Sequence, residues 1–246
     1  MNKRSCSALL AAICAAAAFA ASNPSTALDL IVIDAGHGGI DPGAVKGNVL
    51  EKDVNLDVAK RLNDYLQKHT TAHIVMTRTG DQTLSLAQRA NIANNAQKPG
   101  MNGLFISLHC NSAYNRSARG IETYVHNNKA SDARAARLAR RENVGAQGNY
   151  SMILLDMNNK LHSARSNDLA KSVHTEIIKR AHAHDRRVRQ APFYVLFYSQ
   201  MPSILVELGF LSNTTERNAL QTAAYQQKLA EALGGGVIQF LSLTAR

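Results

Sequence analysis

Apolar positions along this chain follow two alternating rhythms. Short, nearly unbroken aliphatic runs predict strands over Leu28 to Asp34, His73 to Arg78, Gly103 to His109, Gly120 to Val125, Phe193 to Phe197 and Ser203 to Glu207. Between them Val54, Val58, Leu62 and Leu66 recur at helical spacing, as do Leu169, Val173, Ile177 and Ala181, and two more helices are expected over Leu84 to Ala96 and Tyr225 to Leu241. This alternation predicts an α/β fold: a single domain over 28–246 with a twisted, mainly parallel sheet of about six strands flanked by helices. The least regular stretch is Asn127 to Arg165, where Ser, Asp, Asn and Arg are frequent and the rhythm breaks around Gly145 to Tyr150. It is expected to be a mobile insertion.

Before Leu28 the pattern changes. Lys3 and Arg4 precede an apolar run from Leu9 to Phe19, and Ala18-Phe19-Ala20 offers an A-x-A cleavage site, so 1–20 reads as an export signal, cut at Ala20 or as late as Ala27. The run is too short for a stable membrane span. Ile13 stands before Cys14 where a lipoprotein signal needs a small residue. Of three cysteines only Cys110 then remains, and no intramolecular disulfide is expected. A domain of this size buries roughly 70% of its unfolded surface without such staples.

Charge adds a class of partner. The chain has 28 Lys+Arg and 18 Asp+Glu; without Lys3 and Arg4 the balance is 26 to 18, or +8. A basic exported protein suits an anionic cell-wall polymer or membrane surface, with nucleic acid disfavoured by export, although basicity can also reflect a proteome's average pI. The expected location is the periplasm or the cell wall.

Four polar residues end or follow apolar strands, where an open α/β sheet places its ligand crevice: His37, Glu51, His109 and Glu207. Two imidazoles and a carboxylate match the three protein ligands of a catalytic zinc with an open fourth position. Taken singly, a strand-terminal histidine is more often a hydrogen-bonded structural residue, and a helix-start glutamate a simple partner of the dipole. Glu207 sits in the apolar run Pro202 to Phe210. It must either pair with a cation such as Arg78 or Arg89, or remain a carboxyl of raised pKa suited to proton transfer.

The segments Asp34 to Ala44 (DAGHGGIDPGA), Glu51 to Leu56 (EKDVNL), Thr77 to Asp81 (TRTGD), Ser107 to Ser112 (SLHCNS) and Val206 to Asn213 (VELGFLSN) are similar, in kind and order, to those of the zinc-dependent N-acetylmuramoyl-L-alanine amidases of the type-3 family. The resemblance runs over nearly the whole chain from Leu30. It implies zinc held by His37, Glu51 and His109, catalysis by Glu207, and hydrolysis of the amide between N-acetylmuramic acid and L-alanine in peptidoglycan. It also implies that Gly120 to Tyr124 continues the sheet beside the site and that Asn111 shapes it, as a substrate or supporting contact.

Ser131 to Arg165 matches the location of the segment that covers the zinc in cell-division members, which implies a regulatory insertion at 127–165, shorter here around Gly145 to Tyr150. Arg141-Glu142-Asn143 resembles the start of their blocking helix, which makes Glu142 a candidate autoinhibitory plug; the other reading is a solvated carboxylate beside Arg140 and Arg141. An activator protein of the division machinery follows by analogy alone. No chemistry falls to His69, His73, His126, His162, His174, His182 or His184; the last two, with Arg186, Arg187 and Arg189, suggest a solvated or wall-facing cationic surface. A zinc peptidase acting on stem peptides and a non-catalytic wall-binding module are the alternatives. No Ser-x-x-Lys occurs, which sets a serine penicillin-binding enzyme aside.

Overall fold

A computed structural model describes residues 28–146 and 152–244. The expected export signal and most of the break at Gly145 to Tyr150 lie outside those residues. In chain order the elements are β1 (Leu30–Ala35), β2 (Val45–Lys46), β3 (Val49–Leu50), α1 (Glu51–His69), β4 (His73–Met76), α2 (Leu86–Ala96), β5 (Gly103–Asn111), β6 (Ile121–His126), α3 (Ala133–Glu142), α4 (Met152–Ala181), β7 (Asp185–Ala191), α5 (Tyr194–Phe197), β8 (Ser203–Phe210), α6 (Thr214–Leu220) and α7 (Ala223–Thr244). Six strands form one sheet in the order β4-β1-β5-β8-β6-β7. All neighbours run parallel except β6 and β8.

The continuous apolar runs of β1, β5 and β8 make sense because helices cover both faces of the sheet. Ile31, Ile33, Leu104, Ile106, Leu108, Ile204 and Val206 point into a core shared with α1, α4 and α7. Leu30, Val32, Phe105 and Leu205 point the other way, against residues of α2, α3 and α5. The stripe Val54, Val58, Leu62 and Leu66 is buried, at about 1.5–3 kcal/mol for each side chain. A capping box between Ser85 and Gln88 starts α2. None of the described helices is long and apolar enough to cross a membrane.

Three sequence expectations change. Phe193 to Phe197 is not a strand: its aromatic and aliphatic side chains pack around the one-turn helix α5. The sixth strand is instead β7, hidden in the sequence because an edge strand keeps one side in water and carries Arg186, Arg187 and Arg189. The Asn127 to Arg165 stretch is largely regular, containing α3 and the opening of α4. In α3 the buried Ala135, Leu138 and Ala139 do keep helical spacing, but four arginines dilute the signal.

Candidate metal centre

The C-terminal ends of β1 and β5 lie side by side, with Ala35 paired to Leu108. The chain leaves β1 through Gly36, where a Cβ would stand 2.7 Å from His109 Nδ1 and nearer still to its Cε1 and Nε2. Only glycine lets His37 and His109 approach to a centroid separation of 4.9 Å. Gly43, at φ 65°, likewise leaves room: a Cβ there would meet His37 Cδ2 at 2.6 Å and Glu51 Oε2 at 2.7 Å.

Glu51 is the first residue of α1, and two backbone N–H groups hold it. Ala44 donates to Oε2 at 2.8 Å and Cys110 to Oε1 at 2.9 Å. Its Oε1 lies 3.2 Å from His37 Nε2 and 3.1 Å from His109 Nδ1. His37 is oriented from behind by Asp41, whose Oδ2 is 2.7 Å from Nδ1. One ligand atom each from His37, Glu51 and His109 lies within 4.8 Å of the others, a spacing that could hold a metal ion. His37 Nε2 is buried and makes no hydrogen bond, with Glu51 Oε1 and Glu142 Oε2 each 3.2 Å away across this space.

The electrostatics favour a cation. Burial disfavours an imidazolium at His37, but the Glu51 charge, helped by Asp41 and Glu142, pushes its pKa up to about 12. Burial would raise the Glu51 pKa, yet the two histidines hold it well below the usual carboxylate range. The neutral-ligand chemistry of a metal would replace that proton with an ion of the same sign.

Glu207 stands in β8 directly opposite His109 in register, and opposite Glu122 of β6 on its other side. It is fully buried, and neither carboxylate oxygen has a hydrogen-bond partner. Burial, then the neighbouring Glu142 and Glu51 charges, raises its pKa well above the ordinary value, with Arg141 opposing. The expected alternative pairing with Arg78 or Arg89 does not form. Arg78 donates to the carbonyls of Ala35, Gly36 and Lys52 at 2.8–2.9 Å, and Arg89 donates to Asp34 and to the carbonyls of Ala35 and His37.

Glu142 is not solvated. It is buried at the end of α3, with Oε2 3.2 Å from His37 Nε2 and 3.3 Å from His109 Nδ1. Arg141 donates to its other oxygen at 2.8 Å and to the Ser112 carbonyl at 3.2 Å. Asn143 anchors the helix end, donating to Pro192 O at 2.7 Å and accepting from Tyr194 N at 2.8 Å. The cleft, of about 420 Å³, has His37, His109, Arg141 and Glu142 among its lining residues, with Leu84, Leu86 and Phe193 as an apolar wall.

Asn111 reaches the site indirectly, donating to Glu122 Oε2 at 3.1 Å. Glu122 escaped the sequence analysis. It is buried and takes Tyr124 Oη at 2.7 Å, Arg186 Nε at 2.7 Å and an ion pair from Arg134 of α3. A lone carboxylate inside Ile121-Glu122-Thr123-Tyr124-Val125 was its only signal. His174 is buried between Thr123 Oγ1 and Asp185 Oδ1, each at 2.9 Å, and clips α4 to β6 and β7.

The family model described as N-acetylmuramoyl-L-alanine amidase matches residues 31–239. Among curated relatives, YqiI of Bacillus subtilis (strain 168) is 35% identical over 84% of this chain and 82% of its own length. N-acetylmuramoyl-L-alanine amidase LytC of the same strain is 33% identical over 86% of this chain, which spans only 35% of that longer protein. The crystal structure of N-acetylmuramoyl-L-alanine amidase from Clostridium difficile 630 superposes with a TM-score of 0.68 at 33% identity, covering 89% of this chain and 98% of that one.

Proposed function

The chain belongs to the N-acetylmuramoyl-L-alanine amidase family, and we propose that it is the zinc-dependent hydrolase that cuts between the lactyl group of N-acetylmuramic acid and the L-alanine of the peptidoglycan stem. The observation that carries this reading is the pairing of His37, Glu51 and His109 donor atoms, within 4.8 Å of one another, with an unpartnered buried carboxylate, Glu207. Those three residues would hold the ion. When bound, zinc supplies a Lewis acid that lowers the pKa of water and polarises the carbonyl.

The chain's own residues do the rest. Asp41 fixes the His37 ring so that Nε2 faces the site, while the Ala44 and Cys110 N–H groups keep Glu51 from turning away. Glu207 takes a proton from the attacking water at a carboxylate oxygen and returns it to the departing alanine nitrogen. Its burial and the lack of a competing partner keep that oxygen available.

The reading extends to regulation and address. Residues 28–246 form the catalytic domain, with 127–165 as its regulatory part, and Glu142 blocks the site until α3 moves. A protein of the division machinery is the proposed activator. Residues 1–20 direct export to the periplasm or wall. Contacts of Glu142 with both histidines support the blocking role.

The test is a mass-spectrometric digest of purified peptidoglycan, with and without a zinc chelator. Release of intact stem peptides bearing a free L-alanine amine, abolished by chelation and restored by zinc, is expected. Shortened stems would make the protein a stem peptidase, and no product, even after the blocking carboxylate is removed by Glu142→Ala, would make it a binding module.

A further inference from the structure

Along the chain from the metal centre, a second cavity of about 610 Å³ opens between three loops. The β2–β3 hairpin gives Lys46 and Gly47, the loop after β5 gives Ala113, Tyr114 and Arg116, and the loop and helix after β8 give Ser212, Thr214 and Arg217. The first loop begins two residues after Ala44, whose N–H holds Glu51, and the second begins four residues after His109.

The concavity is built rather than incidental. Ala113 N donates to Ser212 Oγ at 3.0 Å, Asn213 Nδ2 to Arg116 O at 3.1 Å, and Leu211 N to Asn111 O at 2.8 Å, which ties the two strand-end loops together. Arg217 is fixed by donation to Leu211 O at 3.0 Å. The lining contains Lys46, Arg116 and Arg217 and no acidic side chain, with Ser212 and Thr214 adding hydroxyls. It shares no residue with the cleft that holds Glu142, and α3 contributes nothing to it.

The charge of the proposed substrate is lopsided. Its N-acetylated sugars are neutral, and the lactyl carboxyl is consumed in the scissile amide. The carboxylates of the fragment therefore lie on the peptide, beyond the first alanine. A cationic cavity between loops that lead away from the residues of the metal centre complements that half alone.

We propose that the Lys46–Arg116–Arg217 cavity is the subsite for stem-peptide carboxylates, and that it fixes on which side of the metal centre the peptide lies. The proposal rests on the amidase reading for its ligand. Since α3 does not line the cavity, the peptide docks here with Glu142 still in place, and its recognition precedes unblocking.

The test is calorimetric titration of the full mature protein with a free stem tripeptide, L-alanyl-γ-D-glutamyl followed by a diamino acid, which has no scissile bond and is not consumed. Amidation of its carboxylates, or the double substitution Lys46→Ala/Arg116→Ala at exposed positions, is expected to weaken binding by about tenfold or more. Lys46→Arg should retain it, as should the distant Lys60→Ala. On soluble muropeptide the double variant should raise KM about tenfold with kcat little changed. Equal affinity of wild type and double variant, indifference to amidation, or equal competition by inorganic phosphate at matched ionic strength would overturn the subsite. Wall digestion without zinc-dependent stem release would overturn the amidase reading, and the titration reports on the cavity independently of that result.

Discussion

Asp34 and Glu207 are carboxylates of the same sheet, both fully buried on parallel-running strands that flank β5. Asp34 takes Thr77 and Arg89 on one oxygen at 2.7 and 2.8 Å and Ser107 on the other at 2.7 Å. Burial alone would raise its pKa, but Arg89 and the two hydroxyls pull it below the ordinary value. Glu207 has none of these partners and moves the opposite way. Equal burial thus gives a fastened structural anion on one strand and an unfastened carboxyl of raised pKa on another. What separates them is hydrogen bonding, and a carboxyl left unsatisfied at this depth is a stability cost, in keeping with the catalytic role proposed for Glu207.

The sharpest way to break this contrast is Glu207→Gln. Stem release should fall by about 10²–10⁴-fold, while the melting temperature holds or rises because an unpartnered buried acid has been removed. A drop in stability would show that Glu207 is held as Asp34 is. Asp34→Ala should do the reverse, lowering the unfolding free energy in urea by about 3–5 kcal/mol because Arg89 is left buried without its counter-charge. A loss below about 0.5 kcal/mol would dissolve the distinction between the two carboxyls.

Glu142→Ala asks whether the site is held back by its own helix. Basal turnover should rise, by about tenfold if the coupling is typical in size, with the fold unchanged by circular dichroism; equal or lower turnover would leave Glu142 as a structural partner of the histidines.

The smallest effect is a pH dependence. Between the lowered folded pKa of Asp34 and its ordinary value of 3.8 the unfolded chain binds more protons, so stability rises with pH across that window. The advantage of wild type over Asp34→Asn should be full above about pH 4 and shrink as the solution is acidified, by roughly 1.4 kcal/mol for each pH step of one inside the window. A difference constant from about pH 2 to 7 would mean that Asp34 is not anchored by charge.

His37, Glu51, His109 and Glu207 were legible in sequence because a polar residue at the end of an aliphatic run has few places to go in a sheet covered on both faces. The helical stripe of α1 was legible for the same reason. β7 was not, since an edge strand with one wet face has no apolar period. α5 was misread because a short aliphatic-aromatic run satisfies one turn of helix as well as it does a strand. The burial of Glu142 depends on where α3 lies against β7 and the loop at Pro192, which no local pattern encodes. Glu122 looked like an ordinary polar position, and its three arginines and its tyrosine come together only in space.

β6 runs against β8 while the strands carrying His37 and His109 run with it. The chain therefore leaves β6 at the edge of the sheet away from the cleft, and α3 must climb back. Its base is pinned there, Ser131 N to Gln190 O and Asp132 to Arg189, while its tip bears Glu142. Ten residues of helix make an arm of about 15 Å. A small tilt at the foot becomes a larger sweep at the tip, so the blocking role proposed for Glu142 implies a release that works from the far end of the sheet.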